Sequence, residues 1–404
     1  MGFAYVPYEP GRNVLFSDSQ TRIVGGLVDR PLGEDWTLTK EDASASLRNA
    51  RNIGVATGAF SNKDMKHRHG QYFTLLTGAS MGGGQKRPGN LAQRLRSRSK
   101  LVQLILLNKS IKRIAGFQSS AFYFLAPKLY RRYAHDLGQL YESQPELHWN
   151  FQGSIYPCIA FNCGPQSITT LHFDQGNLSH GLCAVTPLGN FDWKKGGHLV
   201  LWELKLVLEF PPGTVALLPS AAVRHCNTPI QEGEEWMSIT QFAAGGLFRW
   251  VAYGIKSAKE LGSTKASNSK TLKEKADKCA EERWMEGLSL FSTTITPTTY
   301  LPPLNLILCL SSVYWNQWPC EEEVSGGQKT AAKWLEAIDS SLPDNVQDHN
   351  TQLFLYEIIH GMPDHDDIVN ISRQLTEESW FMDPDSLGDI YYWRNCITAV
   401  VSQY

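Results

Sequence analysis

The chain of 404 residues contains no CxxC pair, because its eight cysteines, Cys158, Cys163, Cys183, Cys226, Cys279, Cys309, Cys320 and Cys396, are scattered. That spacing excludes a disulfide framework and a structural zinc site, and it is expected of reduced thiols in an intracellular compartment. Long apolar runs are missing too. Stretches such as LVQLILL stop far short of the roughly 20 residues a membrane span needs, so no membrane partner is expected. The opening MGFAYVPYEPGR has neither a basic nor an apolar leader segment, and no signal peptide is expected. Acidic residues are absent between Asp64 and Asp136, where Lys and Arg number fourteen. From Glu321 onward the balance reverses, sixteen acidic residues against four basic ones. A polyanion such as nucleic acid would therefore be held by the first half of the chain. Docking of the acidic tail on the basic half is the competing reading.

What is present is a soluble globular composition, 42% hydrophobic and 19% charged, with length for two or three domains. The stretch DWTLTKEDASASLRNARNIG reads as a short capped helix. QYFTLL reads as a strand running into a glycine-rich loop, and LAQRLRSRSKLVQLILLNKSIKRIAGF as a basic amphipathic helix broken once. Helical sequence continues to about residue 150. The runs SITTLHF, HLVLW, KLVLEF, TVALLP and MSITQF follow, each of strand length and separated by Gly, Pro and Asn. Many short strands at close spacing indicate a sandwich or barrel rather than a parallel sheet. GSTKASNSK then reads as a linker, and the acidic tail as helical in pattern.

The chemistry concentrates among those strands. His172 and Asp174 are two apart, so on a strand both leave from one face and can bite one metal. His225, 53 residues later, follows enough strands to bring the chain back beside them. Two imidazoles and a carboxylate are the ligand set of the facial triad that holds non-haem Fe(II) with positions open for a cosubstrate and oxygen. Three other patterns are weaker. Backbone amides of Gly82, Gly83 and Gly84 beside Lys86 and Arg87 suit a phosphate. Gly78-Ala79-Ser80-Met81-Gly82 matches the GxSxG nucleophile elbow of serine hydrolases, but GGGQKRPGN is a poor start for the helix that elbow needs. His360, Asp364, His365 and Asp366 are interrupted by Gly and Pro and read as a solvated turn.

The segments GASMGGGQKRPGN, RIAGFQSSAFYFLAPKLYRRY, FNCGP, HFDQGN, GGHLVLWELKLVLEFPPGT, RHCNTPI and TQFAAGGLFRW resemble the TET/JBP family of Fe(II)- and 2-oxoglutarate-dependent DNA-base dioxygenases, in the branch found in basidiomycete fungi. The resemblance spans roughly residues 65–255. It implies an α+β protein with a double-stranded β-helix, or jelly-roll, core over 151–255. A basic, mostly helical DNA-contacting region over 1–150 and a helical, acidic region over 256–404 flank that core.

It further implies iron on His172, Asp174 and His225, with 2-oxoglutarate and O2 as co-reactants and methylated double-stranded DNA as partner, hence a nuclear address. The substrate would be a flipped 5-methylcytosine, oxidised to its hydroxymethyl, formyl and carboxyl forms. N6-methyladenine demethylation by the same centre is the alternative. Asn177 is placed against the base, and its amide offers both a donor and an acceptor. Many relatives carry Arg-x-Ser where this chain has Trp236-Met237-Ser238. Ser238 is kept, but the cation for the far carboxylate of 2-oxoglutarate is gone. Arg224, Arg249 and His198 are the replacement candidates, although strand alternation would turn Arg224 away from His225. A barrel with no cosubstrate grip would leave a DNA-binding protein without catalysis.

Overall fold

The computed structural model describes residues 2–31, 34–257, 260, 280–293 and 400–402. In chain order the elements begin with β1 (Ala4–Val6), β2 (Val14–Ser17), β3 (Ile23–Val28), α1 (Glu34–Ala56), β4 (Lys66–His67), β5 (Gly70–Gln71), β6 (Thr74–Ser80) and β7 (Gly89–Asn90). Three helices follow, α2 (Arg96–Leu107), α3 (Lys109–Leu125) and α4 (Pro127–Ser143). Next come β8 (Cys158–Asn162), β9 (Cys183–Asn190), β10 (Leu199–Leu201), β11 (Leu206–Leu208), β12 (Val215–Leu218), β13 (His225–Asn227) and β14 (Glu235–Phe242). The described part closes with α5 (Gly245–Ala252), α6 (Ala280–Ser289) and β15 (Val400–Ser402).

The expected α+β class is what the elements build: a jelly-roll core of two largely antiparallel sheets with helices packed outside. The small sheet runs β1-β11-β10-β13, and the large sheet β15-β2-β3-β12-β9-β14-β8-β6-β7. Strand β14 shows how one sheet serves two interiors. Glu235 meets Arg48 and Arg51 of α1, and Gln241 donates to the Ala115 carbonyl of α3, so the odd-numbered side chains face helices. Trp236 and Ser238 leave from the other face, where Trp236 packs beside Gly197 ahead of β10 in the small sheet.

The helices form where apolar spacing gives them one buried face. In α1 the buried positions Trp36, Ala43, Leu47 and Ala50 repeat at helical intervals, and in α3 Ile111, Ile114, Ala115, Gln118 and Phe122 do the same. The single break expected in the basic helical run falls at Asn108. Its side chain accepts from the Ile111 amide at 2.9 Å, ending α2 and capping α3. The run becomes helical only at Arg96, since Leu91 is drawn off by its amide bond to the Gly78 carbonyl. Gln118 is wholly buried and donates to Thr186 Oγ1 and the Ile239 carbonyl, while Gln241 donates to Gln118 Oε1. These amides tie α3 to β9 and β14 with every bond inside the core.

The boundary expected at residue 150 has no counterpart in the sheets. β3 pairs with β12, β6 pairs with β8, and β1 lies parallel to β11, so strands of the first region complete the core. The run IVGGLV of β3 carries two glycines. Gly25 and Gly26 are there because a Cβ would sit 2.4 Å from the Leu217 carbonyl oxygen and 2.8 Å from that of Val14. The expected linker, most of the acidic helical region 256–404 and the His360–Asp366 cluster lie outside the described residues. The described cysteines, Cys158, Cys163, Cys183 and Cys226, are free. Among the described residues no helix is long and apolar enough to cross a membrane.

Gly78 gives the sharpest test of this packing. Its φ is +113°, and a Cβ would lie 1.9 Å from the Pro157 carbonyl oxygen, in the strand register that joins β6 to β8. Gly78→Ala is expected to destabilise the chain by roughly 3 kcal/mol, read as a lower Tm in thermal unfolding. An unchanged Tm would show that the strand can shift to admit a methyl group.

Candidate metal centre

Residues 168–174 do not form a regular strand, as the HxD spacing had suggested. They run beside β13, the edge strand of the small sheet, and are held there by point contacts. His172 and His225 exchange both backbone hydrogen bonds, at 3.2 and 2.9 Å, in an isolated antiparallel bridge. Thr169 Oγ1 donates to Asn227 Oδ1 at 2.8 Å, and the Asp174 amide to the Ser220 carbonyl at 2.9 Å. This bridge closes the long sequence gap between the two histidines.

Each imidazole is oriented in the same manner. His172 Nδ1 lies 2.7 Å from the Thr170 carbonyl oxygen, and His225 Nδ1 lies 3.0 Å from that of Val223. A carbonyl only accepts, so both Nδ1 atoms carry the proton and both Nε2 atoms present a lone pair. Those Nε2 atoms face Asp174, His172 at 3.9 Å from Oδ1 and His225 at 3.9 Å from Oδ2. Two donors that share an ion at about 2.1 Å each stand no more than about 4.2 Å apart. The carboxylate therefore fits a shared ion with either ring, and a backbone carbonyl behind each ring is the usual way a ligating tautomer is fixed. Burial, followed by the neighbouring His225, lowers the pKa of His172 and keeps it in the neutral form that binds metal.

A residue that was not anticipated joins them. His69, between β4 and β5, stacks on His172 with ring centroids 4.3 Å apart and places Nε2 3.8 Å from Asp174 Oδ1. Its pKa is lowered to about 4, by burial first and then by His172. The most compact donor group among the described residues is in fact His69, His172 and Asp174, all within 4.8 Å of one another. His225 approaches the carboxylate from its other oxygen. Arg68 also reaches Asp174 Oδ1, at 3.8 Å. The signal in the sequence was HRH ahead of a strand, with the same two-residue spacing as HFD.

The other expected residues fall into two groups. Arg224 is turned away: its amide and Nε both donate to Glu203 at 2.7 Å, and its guanidinium lies over Trp202. His198 is turned away as well. It shares a face with Val200, Val207 and Tyr5, and packs edge-on against Tyr5, opposite to the face His225 takes through Leu201. Both corrections follow from strand alternation. Asn177 is engaged in the fold, since its amide closes a turn onto the Asp174 carbonyl and its Nδ2 donates to Ser220 Oγ at 2.9 Å. These two bonds make it part of the turn that carries Asp174.

Ser238 is buried on the inner face and accepts from Asn162 Nδ2 at 2.8 Å, with Thr74 Oγ1 donating to Asn162 Oδ1. Trp236, 1% exposed, fills the position two residues before it. Arg249 lies on α5 and lines a small cleft with Arg132, Asp136, Leu178, His180 and Phe248. Gly83, Gly84, Lys86 and Arg87 are exposed on the loop after β6. That loop starts against α5, because a Cβ on Gly246 would meet the Met81 carbonyl oxygen at 2.4 Å, and the Gly245 amide donates to the Gly176 carbonyl at 2.9 Å. The basic loop, the α5 N-terminus and the turn after Asp174 are thus contiguous.

No family model matches the chain, and no curated protein matches it. Among solved structures, NgTET1 in complex with 5mC DNA is similar over 60% of this chain and 83% of that one, at 18% identity and a TM-score of 0.38. An oxidoreductase of the 2OG-Fe(II) oxygenase family from Burkholderia pseudomallei is similar over 43% of this chain and 76% of that one, at 17% identity and a TM-score of 0.22. Likeness of that degree carries no inference about activity.

Ser80 is the last residue of β6 and pairs with Gly89 of β7; a loop follows, with no helix to activate the hydroxyl. The nucleophile-elbow reading is therefore corrected. A fluorophosphonate probe is expected to leave Ser80 unlabelled in intact-mass analysis, and stoichiometric labelling lost in Ser80→Ala would restore the hydrolase reading.

Proposed function

We propose that this chain is an Fe(II)- and 2-oxoglutarate-dependent dioxygenase that oxidises the methyl group of a methylated base in duplex DNA, with 5-methylcytosine as first substrate. The observation that carries the reading is the convergence of His172, Asp174 and His225, with both Nε2 lone pairs aimed at one carboxylate and both Nδ1 protons held by backbone carbonyls. Two imidazoles and one carboxylate suit ferrous iron and leave open positions. When bound, that iron with 2-oxoglutarate and oxygen supplies the oxidising chemistry: one oxygen atom enters the methyl group as hydroxyl, and the other enters succinate as the ketoacid loses carbon dioxide.

The chain's own residues then have separate tasks. The Thr170 and Val223 carbonyls fix the two rings. Ser220 holds both ends of the turn that carries the carboxylate, through its backbone to Asp174 and its hydroxyl to Asn177. With Arg224 and His198 turned away, the arginine beside Asp174 is Arg68, largely exposed and able to meet an anionic cosubstrate. Exposed Lys86, Arg87, Arg94, Arg96 and Lys100 supply charge for the phosphate backbone. A base reaches the centre only after leaving the stack, and the glycine-rich loop beside the turn 174–177 is placed to meet the deformed strand. A nuclear address follows from that substrate.

Incubation with Fe(II), 2-oxoglutarate and methylated duplex oligonucleotides, followed by nucleoside mass spectrometry, tests the reading. Hydroxymethylcytosine is expected, with formyl and carboxyl forms at longer times, and loss of at least about 100-fold in His172→Ala, Asp174→Ala and His225→Ala. Formaldehyde release from N6-methyladenine duplexes with no cytosine product would replace the substrate but keep the centre. Oxidation that survives all three substitutions would remove the centre itself, and DNA binding without 2-oxoglutarate turnover would leave only a binding protein.

A further inference from the structure

We infer that His69 is a fourth protein ligand of the same metal ion, delivered by the β4–β5 hairpin. The inference rests on the metal reading above and adds to it a residue that the three-ligand pattern does not contain. His69 Nε2 is 3.8 Å from Asp174 Oδ1, as near to the carboxylate as the Nε2 atoms of His172 and His225 at 3.9 Å. The donor atoms of His69, His172 and Asp174 lie within 4.8 Å of one another.

The state of the nitrogen points the same way. His69 Nε2 is shielded from solvent and has no hydrogen-bond partner, which is costly for a polar atom unless something else satisfies it. Its neighbour His67 shows the contrast: His67 Nε2 is bonded to the Tyr72 carbonyl oxygen at 3.1 Å. The hairpin is also fixed in place. The Thr170 amide donates to the His69 carbonyl at 2.8 Å, and Gly70 bridges Thr169, with the Ile168 carbonyl so close that a Cβ on Gly70 would meet it at 2.5 Å. The His69 amide donates to His67 Nδ1 at 3.3 Å, which steadies the turn. The backbone that presents His69 is therefore bonded to the same segment that presents His172.

Were an ion held at this centre, His69, His172 and Asp174, whose donor atoms lie within 4.8 Å of one another, would bind it together with His225 on the second carboxylate oxygen. A further small ligand would compete with His69 for that ion, an exchange of ligands that changes no oxidation state.

The test uses the full chain loaded anaerobically with Co(II), which reports its coordination in the visible spectrum. Wild type is expected to bind one ion at the centre. His69→Ala should bind it about 10-fold more weakly, by analogy with the loss when a metal site is stripped of a supporting group, and with an altered visible band. His69→Ala should also bind azide more tightly in the Co(II) form saturated with 2-oxoglutarate. As a measurement that needs no variant, spin-echo modulation of the Cu(II)-loaded wild type should count three coordinated imidazoles. Two imidazoles in that count, or a His69→Ala variant with unchanged Co(II) affinity and spectrum, would overturn the assignment while leaving the three-ligand centre standing. A wild type that binds no divalent ion would overturn both.

Discussion

The backbone bridge between His172 and His225 is the constraint on which the centre depends. A metal site needs donors placed to within a fraction of an ångström, and these two come from an irregular segment and a three-residue strand. Neither is rigid alone. By exchanging two hydrogen bonds they become one short piece of antiparallel sheet, and the rings leave it side by side with centroids 4.3 Å apart. Asp174 and Thr169 are then fixed on either side by Ser220 and Asn227. The same segment anchors the hairpin that carries His69, so all four candidate donors hang from one local network.

That network is irregular backbone, and it holds only because what lies behind it does not move. The large sheet is buried on both faces, with α1 and α3 against one side through the Arg48, Arg51 and Gln118 contacts, and the small sheet against the other. The buried amides of this scaffold, Gln118 and Gln241, are paired across elements, Gln241 with Gln118 and Ser154, and Gln118 with Thr186. Fully satisfied networks of that kind specify one packing and penalise any other. The glycines of β3 and β6 let backbones approach where no side chain fits.

Charge is arranged on the outside of the same frame. Some of the basic residues of the first half are already paired within the fold, Arg98 with Asp64, Arg113 with Asp35, and Arg132 with Asp136 and Glu286. Lys86 and Arg87 and the start of α2 remain exposed, and the loop that bears the first two abuts α5 and the turn 174–177. The bulk count of positive charge is thus less informative than which side chains the fold leaves uncommitted.

The sequence by itself determined the chemistry on offer: HxD and a distant histidine are ligand types whose identity needs no coordinates, and the strand-length runs around them were enough for a sandwich or barrel, the jelly roll being what the resemblance implied. That the basic helical run breaks once was legible, but its place, Asn108, was fixed by the structure through the cap onto the Ile111 amide. Tertiary structure decided everything that depends on which way a side chain faces or what lies across from it. Arg224 and His198 were lost as cosubstrate groups because alternation along a strand turns them outward. Asn177 was taken up by Ser220, and Gly78 proved to serve a close strand contact in place of a nucleophile elbow. The pairing of His69 with His172 was invisible because 103 residues separate them and hairpin-to-segment hydrogen bonds bring them together. Ligand identity is written in covalent structure, whereas ligand geometry exists only once distant backbones have paired.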